Sequence, residues 1–272
     1  MRRLVLALTL AVAACAASSA DQGEAGPQSG AATVAIPDGA LTLQAQLAQP
    51  AGTPKSPSVV ALHGCGGPWP SRDGQWEKLL TEAGHQALFP DSFGSRGLGS
   101  QCKVSQRTVS PNRERRADAV AAINWLVAQP ATPPGGVVVM GWSNGGSTVL
   151  ATAAEGVTAP GSVRGFIAMY PGCGAYVRRA NWAPSAPILI LMGESDDWTP
   201  AAPCRTLAAR FPDRITLVTY PDTFHDFDVP GHPVRMRSGL AFTAGHGGMA
   251  HTGTNETSRA DAIARVLAFL DR

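Results

Sequence analysis

The sequence predicts a single α/β domain whose sheet is mostly parallel and covered by helices on both faces. Three observations predict it. Short continuous apolar runs, such as Val59-Val60-Ala61-Leu62 and Val137-Val138-Val139-Met140, suit strands buried on both faces. Helix-length segments alternate with these runs along the chain, the order that right-handed crossovers wind into a parallel sheet. A length of 272 residues, 44% of them hydrophobic, is ample for one large core. No apolar run reaches the eighteen or so residues that a membrane-spanning helix needs.

The chain opens with Arg2 and Arg3, an apolar stretch from Leu4 to about Ala14 and then small residues, the build of a secretory signal peptide over residues 1–20. Two cleavage sites compete. Ser18-Ser19-Ala20 before Asp21 suits a peptidase that wants small residues, whereas Val12-Ala13-Ala14-Cys15 resembles a bacterial lipobox, whose cysteine becomes the lipidated first residue. The expected location is outside the bacterial cytoplasm, either soluble in the periplasm or anchored to lipid at Cys15. Residues 21–35, rich in Gly, Ala, Ser and Gln, are expected to be a flexible tether, leaving 36–272 as the folded domain.

Within that domain, residues 41–47 alternate apolar and polar like a half-exposed edge strand, and 59–62 read as a buried one. A helix over 76–83, a strand over 86–90 and a helix over 113–128 follow. Next come a strand over 136–140, a helix over 144–154, and strands over 165–170 and 187–192. A helix over 200–211, a strand over 215–220 and a terminal helix over 258–270 complete the series.

Charge narrows the function classes. The formal charge is +2, but without Arg2 and Arg3 the basic and acidic residues are equal in number at 20. No basic face of the kind that binds nucleic acid is left. Once Cys15 is lipidated or removed, Cys65, Cys102, Cys173 and Cys204 remain, an even set in an oxidising compartment. Three pairings are open. Cys65 with Cys102 and Cys173 with Cys204 are favoured, because each pair joins segments at the same end of the predicted sheet. No Cys or His spacing suits a metal, and neither metal nor cofactor is expected.

Gly141-Trp142-Ser143-Asn144-Gly145 is a G-x-S-x-G pentapeptide between a predicted strand and a predicted helix. In that setting a tight turn lifts the serine hydroxyl off the sheet end, whereas an ordinary helix-capping serine is the competing reading. A serine nucleophile needs a base. His225 is best placed, just past the strand 215–220 and late in the chain. His63, at a strand end, reads as structural, and His85 as a surface or packing residue. His232, His246 and His251 fall in a Gly- and Pro-rich excursion read as a mobile loop.

The acid that orients the base should follow the strand 187–192. Asp196 is the first choice there, Asp197 the runner-up, and Glu194 a loop residue. Oxyanion donors are expected from the backbone N–H of Asn144 and, in His63-Gly64-Cys65-Gly66-Gly67, that of Cys65. A plain Gly-rich turn is the alternative for this second loop. Trp142, Trp198, Phe93 and Arg96 are placed on loops flanking the site. Arg96 is read either as attracting a substrate carboxylate or as bracing its loop.

Together HGCGG, PDSFGSRG, GWSNGG, YPGCG, GESDDWTP and the H-D-F at His225 resemble the dienelactone hydrolase family of the α/β-hydrolase fold, from about residue 40 to the C-terminus. The resemblance implies a Ser143, Asp196, His225 triad and hydrolysis of a small to medium ester or lactone. The enzyme that names the family is cytoplasmic and has a cysteine nucleophile, whereas this chain carries Ser143 and an export signal. A non-catalytic exported binding lipoprotein on the same scaffold is the alternative class.

Overall fold

The computed structural model describes residues 30–245 and 247–272, so the expected signal peptide, Cys15 and His246 lie outside the described residues. Strands β1 (Gly30–Asp38) and β2 (Leu41–Gln49) form an antiparallel hairpin with nine paired positions. Strands β3 (Ser58–Leu62), β4 (Ala87–Pro90), β5 (Val137–Trp142), β6 (Val163–Met169), β7 (Ile188–Gly193) and β8 (Ile215–Tyr220) run parallel, and β2 joins them antiparallel to β4. The sheet order is β1-β2-β4-β3-β5-β6-β7-β8. Every residue of β3, β5 and β7 is buried, as their unbroken apolar runs require.

Helix α2 (Glu114–Val127) packs on α3 (Asn144–Thr152) over one face of the sheet. On the other, α1 (Pro70–Glu82) meets α6 (Glu256–Leu270) through Arg259 Nε, which donates to Gln75 Oε1 at 2.7 Å. Two further helices, α4 (Gly174–Val177) and α5 (Ala201–Arg210), pack together beside the carboxyl ends of β6 and β7. Both favoured disulfides are formed. Cys65–Cys102 ties the loop after β3 to the loop after β4, and Cys173–Cys204 ties the segment after β6 to α5.

Three expectations need correction. Residues 30–35 belong to β1 rather than to a tether, since an edge strand with one exposed face needs few large apolar side chains to hold it. Helix α1 begins at Pro70, well before residue 76, because its first turns are polar and show no apolar stripe. The excursion after His225 is not a bare loop: β9 (Arg235–Arg237) pairs antiparallel with β10 (Ala250–Thr252).

Candidate active site

Strands β3 and β5 are neighbours, yet the chain leaves β3 for β4 on one side and β5 for β6 on the other. A parallel sheet opens a crevice where its order reverses in this way. Ser143 stands at that crevice, between the last residue of β5 and the first of α3, with φ 54° and ψ −113°. Such a conformation costs a residue with a Cβ about 1–3 kcal/mol. Close packing imposes it. A Cβ at Gly145 would lie 2.0 Å from the Leu62 carbonyl oxygen, and one at Gly141 would lie 2.6 Å from that of Gly145. The N-terminus of α3 is thereby wedged against β3, and the Ser143 N–H donates to the Met169 carbonyl at 2.9 Å.

The hydroxyl of Ser143 meets a single partner from the loop after β8: Oγ lies 2.8 Å from Nε2 of His225. On the other side of the ring, Nδ1 lies 2.7 Å from Asp196 Oδ2. Asp196 follows β7 and is held by the N–H groups of Trp198 and Thr199 on Oδ1 at 2.9 and 2.8 Å, and by Thr199 Oγ1 on Oδ2 at 3.0 Å. A carboxylate only accepts, so Nδ1 carries the proton and the Nε2 lone pair faces the serine. Burial pushes the His225 pKa down, but the Asp196 charge and hydrogen bond outweigh it and leave the pKa above 6.5. Tyr170 and Trp198 flank the imidazole, with ring centroids 4.6 and 4.9 Å away.

The competing carboxylates are engaged elsewhere. Asp197 accepts from His251 Nδ1 at 2.8 Å and from the His251 N–H at 2.8 Å, and Glu194 pairs with Arg205. His63 is buried and neutral, with its pKa driven well below 6.5 by desolvation and by Arg115. Its Nδ1 donates to the Gly64 carbonyl at 2.8 Å, and its Nε2 accepts the Ser92 N–H at 3.1 Å. His85 is buried against the Pro57 carbonyl at 2.9 Å, a packing role. His232 Nε2 lies 3.1 Å from Thr252 Oγ1 in the ordered β9–β10 region. Among the described residues, the N–H groups of Cys65 and Asn144 donate to no protein acceptor.

Two clefts meet at Ser143. The first, about 360 Å³, is lined by Arg72, Arg235 and Arg237 along with Trp69 and His232. The second, about 540 Å³, runs past Tyr176 and Phe242. Trp198 and Cys65 border both.

Three side chains expected at the rim do other work. Trp142 is fully buried, its indole donating to Asp228 at 2.9 Å under the Arg72 guanidinium. Phe93 is packed between His63 and Arg115. Arg96 braces its loop, forking onto Asp118 at 2.7 and 2.8 Å and donating to the Ser92 carbonyl at 2.7 Å. Each is held by interior partners that local sequence does not show: Asp228 for Trp142, His63 and Arg115 for Phe93, and Asp118 for Arg96.

Asp228 escaped the sequence reading, although its position three residues after His225 was available as a signal. It is fully buried and accepts from Trp76 Nε1 at 2.7 Å, Trp142 Nε1 at 2.9 Å and Tyr170 Oη at 2.6 Å. One carboxylate thus ties α1, the residue before Ser143 and the aromatic wall of His225 to the histidine loop. Burial raises its pKa. Asp228→Ala leaves two indoles and a phenol unpaired and is expected to cost about 3 kcal/mol or more of unfolding free energy, with Asp228→Asn losing about half as much. Urea denaturation of the purified variants checks this.

Comparison with known proteins agrees with the architecture. The model of the dienelactone hydrolase family matches residues 43–272. A candidate dienelactone hydrolase of Klebsiella pneumoniae subsp. pneumoniae MGH 78578 is 18% identical, with a TM-score of 0.68 over 90% of this chain and 99% of its own. A dienelactone hydrolase-like promiscuous phosphotriesterase from metagenomic libraries is 19% identical, with a TM-score of 0.67 over 89% of this chain and 98% of its own. Thermogutta terrifontis esterase 2, solved phosphorylated by paraoxon, is 17% identical, with a TM-score of 0.62 over 89% and 93%. At these identities the likeness concerns the α/β-hydrolase fold.

Proposed function

Since the chain belongs to the dienelactone hydrolase family, we propose that it cleaves carboxylic esters or lactones of small to medium size through an acyl-enzyme on Ser143. The observation that carries this reading is the unbroken chain from Ser143 Oγ to His225 Nε2 at 2.8 Å and from His225 Nδ1 to Asp196 Oδ2 at 2.7 Å. Ser143 Oγ attacks the ester carbonyl while Nε2 takes its proton. The imidazolium, stabilised by Asp196, returns that proton to the leaving alkoxide. Water then enters, gives a proton to Nε2 and releases the acid. The N–H groups of Asn144 and Cys65 receive the oxyanion in both halves.

The first cleft indicates the substrate's polarity. Arg235 and Arg237 beside Ser143 favour an acyl or leaving group bearing a carboxylate or a similar anion, the role first considered for Arg96, whereas Arg72 is already paired with Asp73. Our reading puts the protein outside the cytoplasm, and the two disulfides support it.

A fluorophosphonate probe should label wild-type protein at Ser143 and fail on His225→Ala. Asp196→Asn should lower kcat about 10³–10⁴-fold, and Asp197→Asn should stay within about threefold. Intact-mass spectrometry and steady-state hydrolysis read these outcomes, and an unlabelled wild-type protein sinks the proposal.

The base works only as free imidazole. Because the folded pKa of His225 lies above 6.5, the rising limb of kcat/KM against pH should have its midpoint above 6.5. The same shift means that the ion pair's contribution to stability is fully present below about pH 6.5 and fades as pH rises through the folded pKa. Initial-rate profiles and melting curves across that range test both.

Replacing both Arg235 and Arg237 by Gln should raise KM about tenfold for an ester bearing a carboxylate, while a neutral ester of the same size changes less than threefold. Paired kinetics on the two esters check this.

A further inference from the structure

Behind the proposed oxyanion donors lies a buried cation that the mechanism above does not use. Arg115, on the first turn of α2, is 1% exposed. Its Nη1 donates to the side-chain Oδ1 of Asn144 at 2.5 Å, and its Nη2 to the His63 carbonyl at 2.8 Å. Its ring-side contact is Phe93, with the guanidinium carbon 5.0 Å from the ring centroid. No carboxylate pairs with it among the described residues. Asp118, one turn further along α2, is taken by Arg96, and Arg115 Nε has no hydrogen-bond partner.

An unpaired buried charge is expensive, and a stability role does not explain it, since an apolar side chain of similar size commonly serves a core as well or better. Its two acceptors supply the explanation. Asn144 is the residue whose backbone N–H follows the nucleophile, and His63 opens the turn that carries Cys65. One rigid fork therefore spans the two loops from which both oxyanion donors come, and the charge it brings has the sign opposite to that of the oxyanion. Burial pulls its pKa down to about 9, so it stays cationic at neutral pH.

Resting on the acyl-transfer reading and deepening it, we infer that Arg115 is a positioning residue of the oxyanion hole. It sets the spacing of the Asn144 and Cys65 N–H groups and adds a fixed positive charge behind them, and its contribution is expressed in the transition state rather than in substrate binding. A fixed charge in a water-excluded site stabilises developing charge without having to reorganise.

The test compares Arg115→Met and Arg115→Lys with wild type, using hydrolysis of a neutral ester and the rate of phosphonylation of Ser143 by a fluorophosphonate. Melting temperature is recorded for each. Arg115→Met should lose about 30-fold or more in kcat with KM changed less than threefold, and phosphonylation should slow in parallel. Arg115→Lys keeps the charge and loses the fork, and should recover about a third or more of the lost activity on a logarithmic scale. Should Arg115→Met not fold, the lysine variant carries the test: it should show the same kcat-only loss at smaller size. The inference is overturned if folded Arg115→Met keeps kcat and phosphonylation within threefold of wild type, if the loss falls in KM alone, or if lysine restores no more than methionine does; where only Arg115→Lys folds, kcat and phosphonylation within threefold of wild type overturn it. A wild-type protein that is not labelled at all removes the hydrolase reading itself, whereas a labelled wild type with an equally reactive Arg115→Met removes this inference only.

Discussion

The site depends on how closely α3 approaches the ends of three strands. Side chains at Gly141, Gly145 and Gly146 would each drive a Cβ to within 2.8 Å of a carbonyl oxygen, so the helix can enter only over bare backbone. That approach forces Ser143 into a left-handed conformation and turns its hydroxyl away from the sheet. The turn is flanked by β3 and β5, in which every residue is buried. The same wedging brings the residue after Ser143 against the loop after β3, so the two loops that bear the unpartnered N–H groups become one surface.

Around that surface, buried charge does the aligning. Asp228 collects three neutral donors from α1, β5 and the segment after β6, and stands three residues from His225. Arg115 holds Asn144 and the His63 carbonyl from the opposite side. One is an anion satisfied by indoles and a phenol, the other a cation satisfied by an amide and a carbonyl. Neither belongs to an ion pair among the described residues. Hydrogen bonds to neutral partners let each fix the geometry of several loops at once, which a one-to-one salt bridge does not do. Disulfides reinforce the arrangement by tying the loop after β3 and the segment after β6 to their neighbours.

The strand and helix pattern was legible because buried parallel strands are short apolar runs with few other readings, as in Val59 to Leu62 and Val137 to Met140. Ser143 was legible because its turn demands glycines at fixed spacing. Asp196 and then His225 were legible because each lies in the loop that follows a strand. Less was visible where partners are distant. Strand β1 has an exposed face and few large apolar residues, so it exists by pairing with β2. The β9–β10 ribbon, three residues to a strand, leaves too little periodicity to detect, yet it carries Arg235 and Arg237 to the cleft.

By itself the sequence determined strands β2 to β8, most of the helices that cover them, their order and the kinds of side chain that stand at strand ends, because these follow from local periodicity and from turn chemistry within a few residues. Tertiary structure decided which of the neighbouring carboxylates meets the imidazole: Asp196 turns inward to His225, whereas Asp197 pairs with His251 near the surface. It also decided that Trp142, Phe93 and Arg96 turn inward while Arg72, Arg235 and Arg237 face the cleft. For Asp196, Asp197, Trp142 and Arg96 the partner lies more than twenty residues away, and a buried polar group commits to whichever partner the packed chain brings within reach.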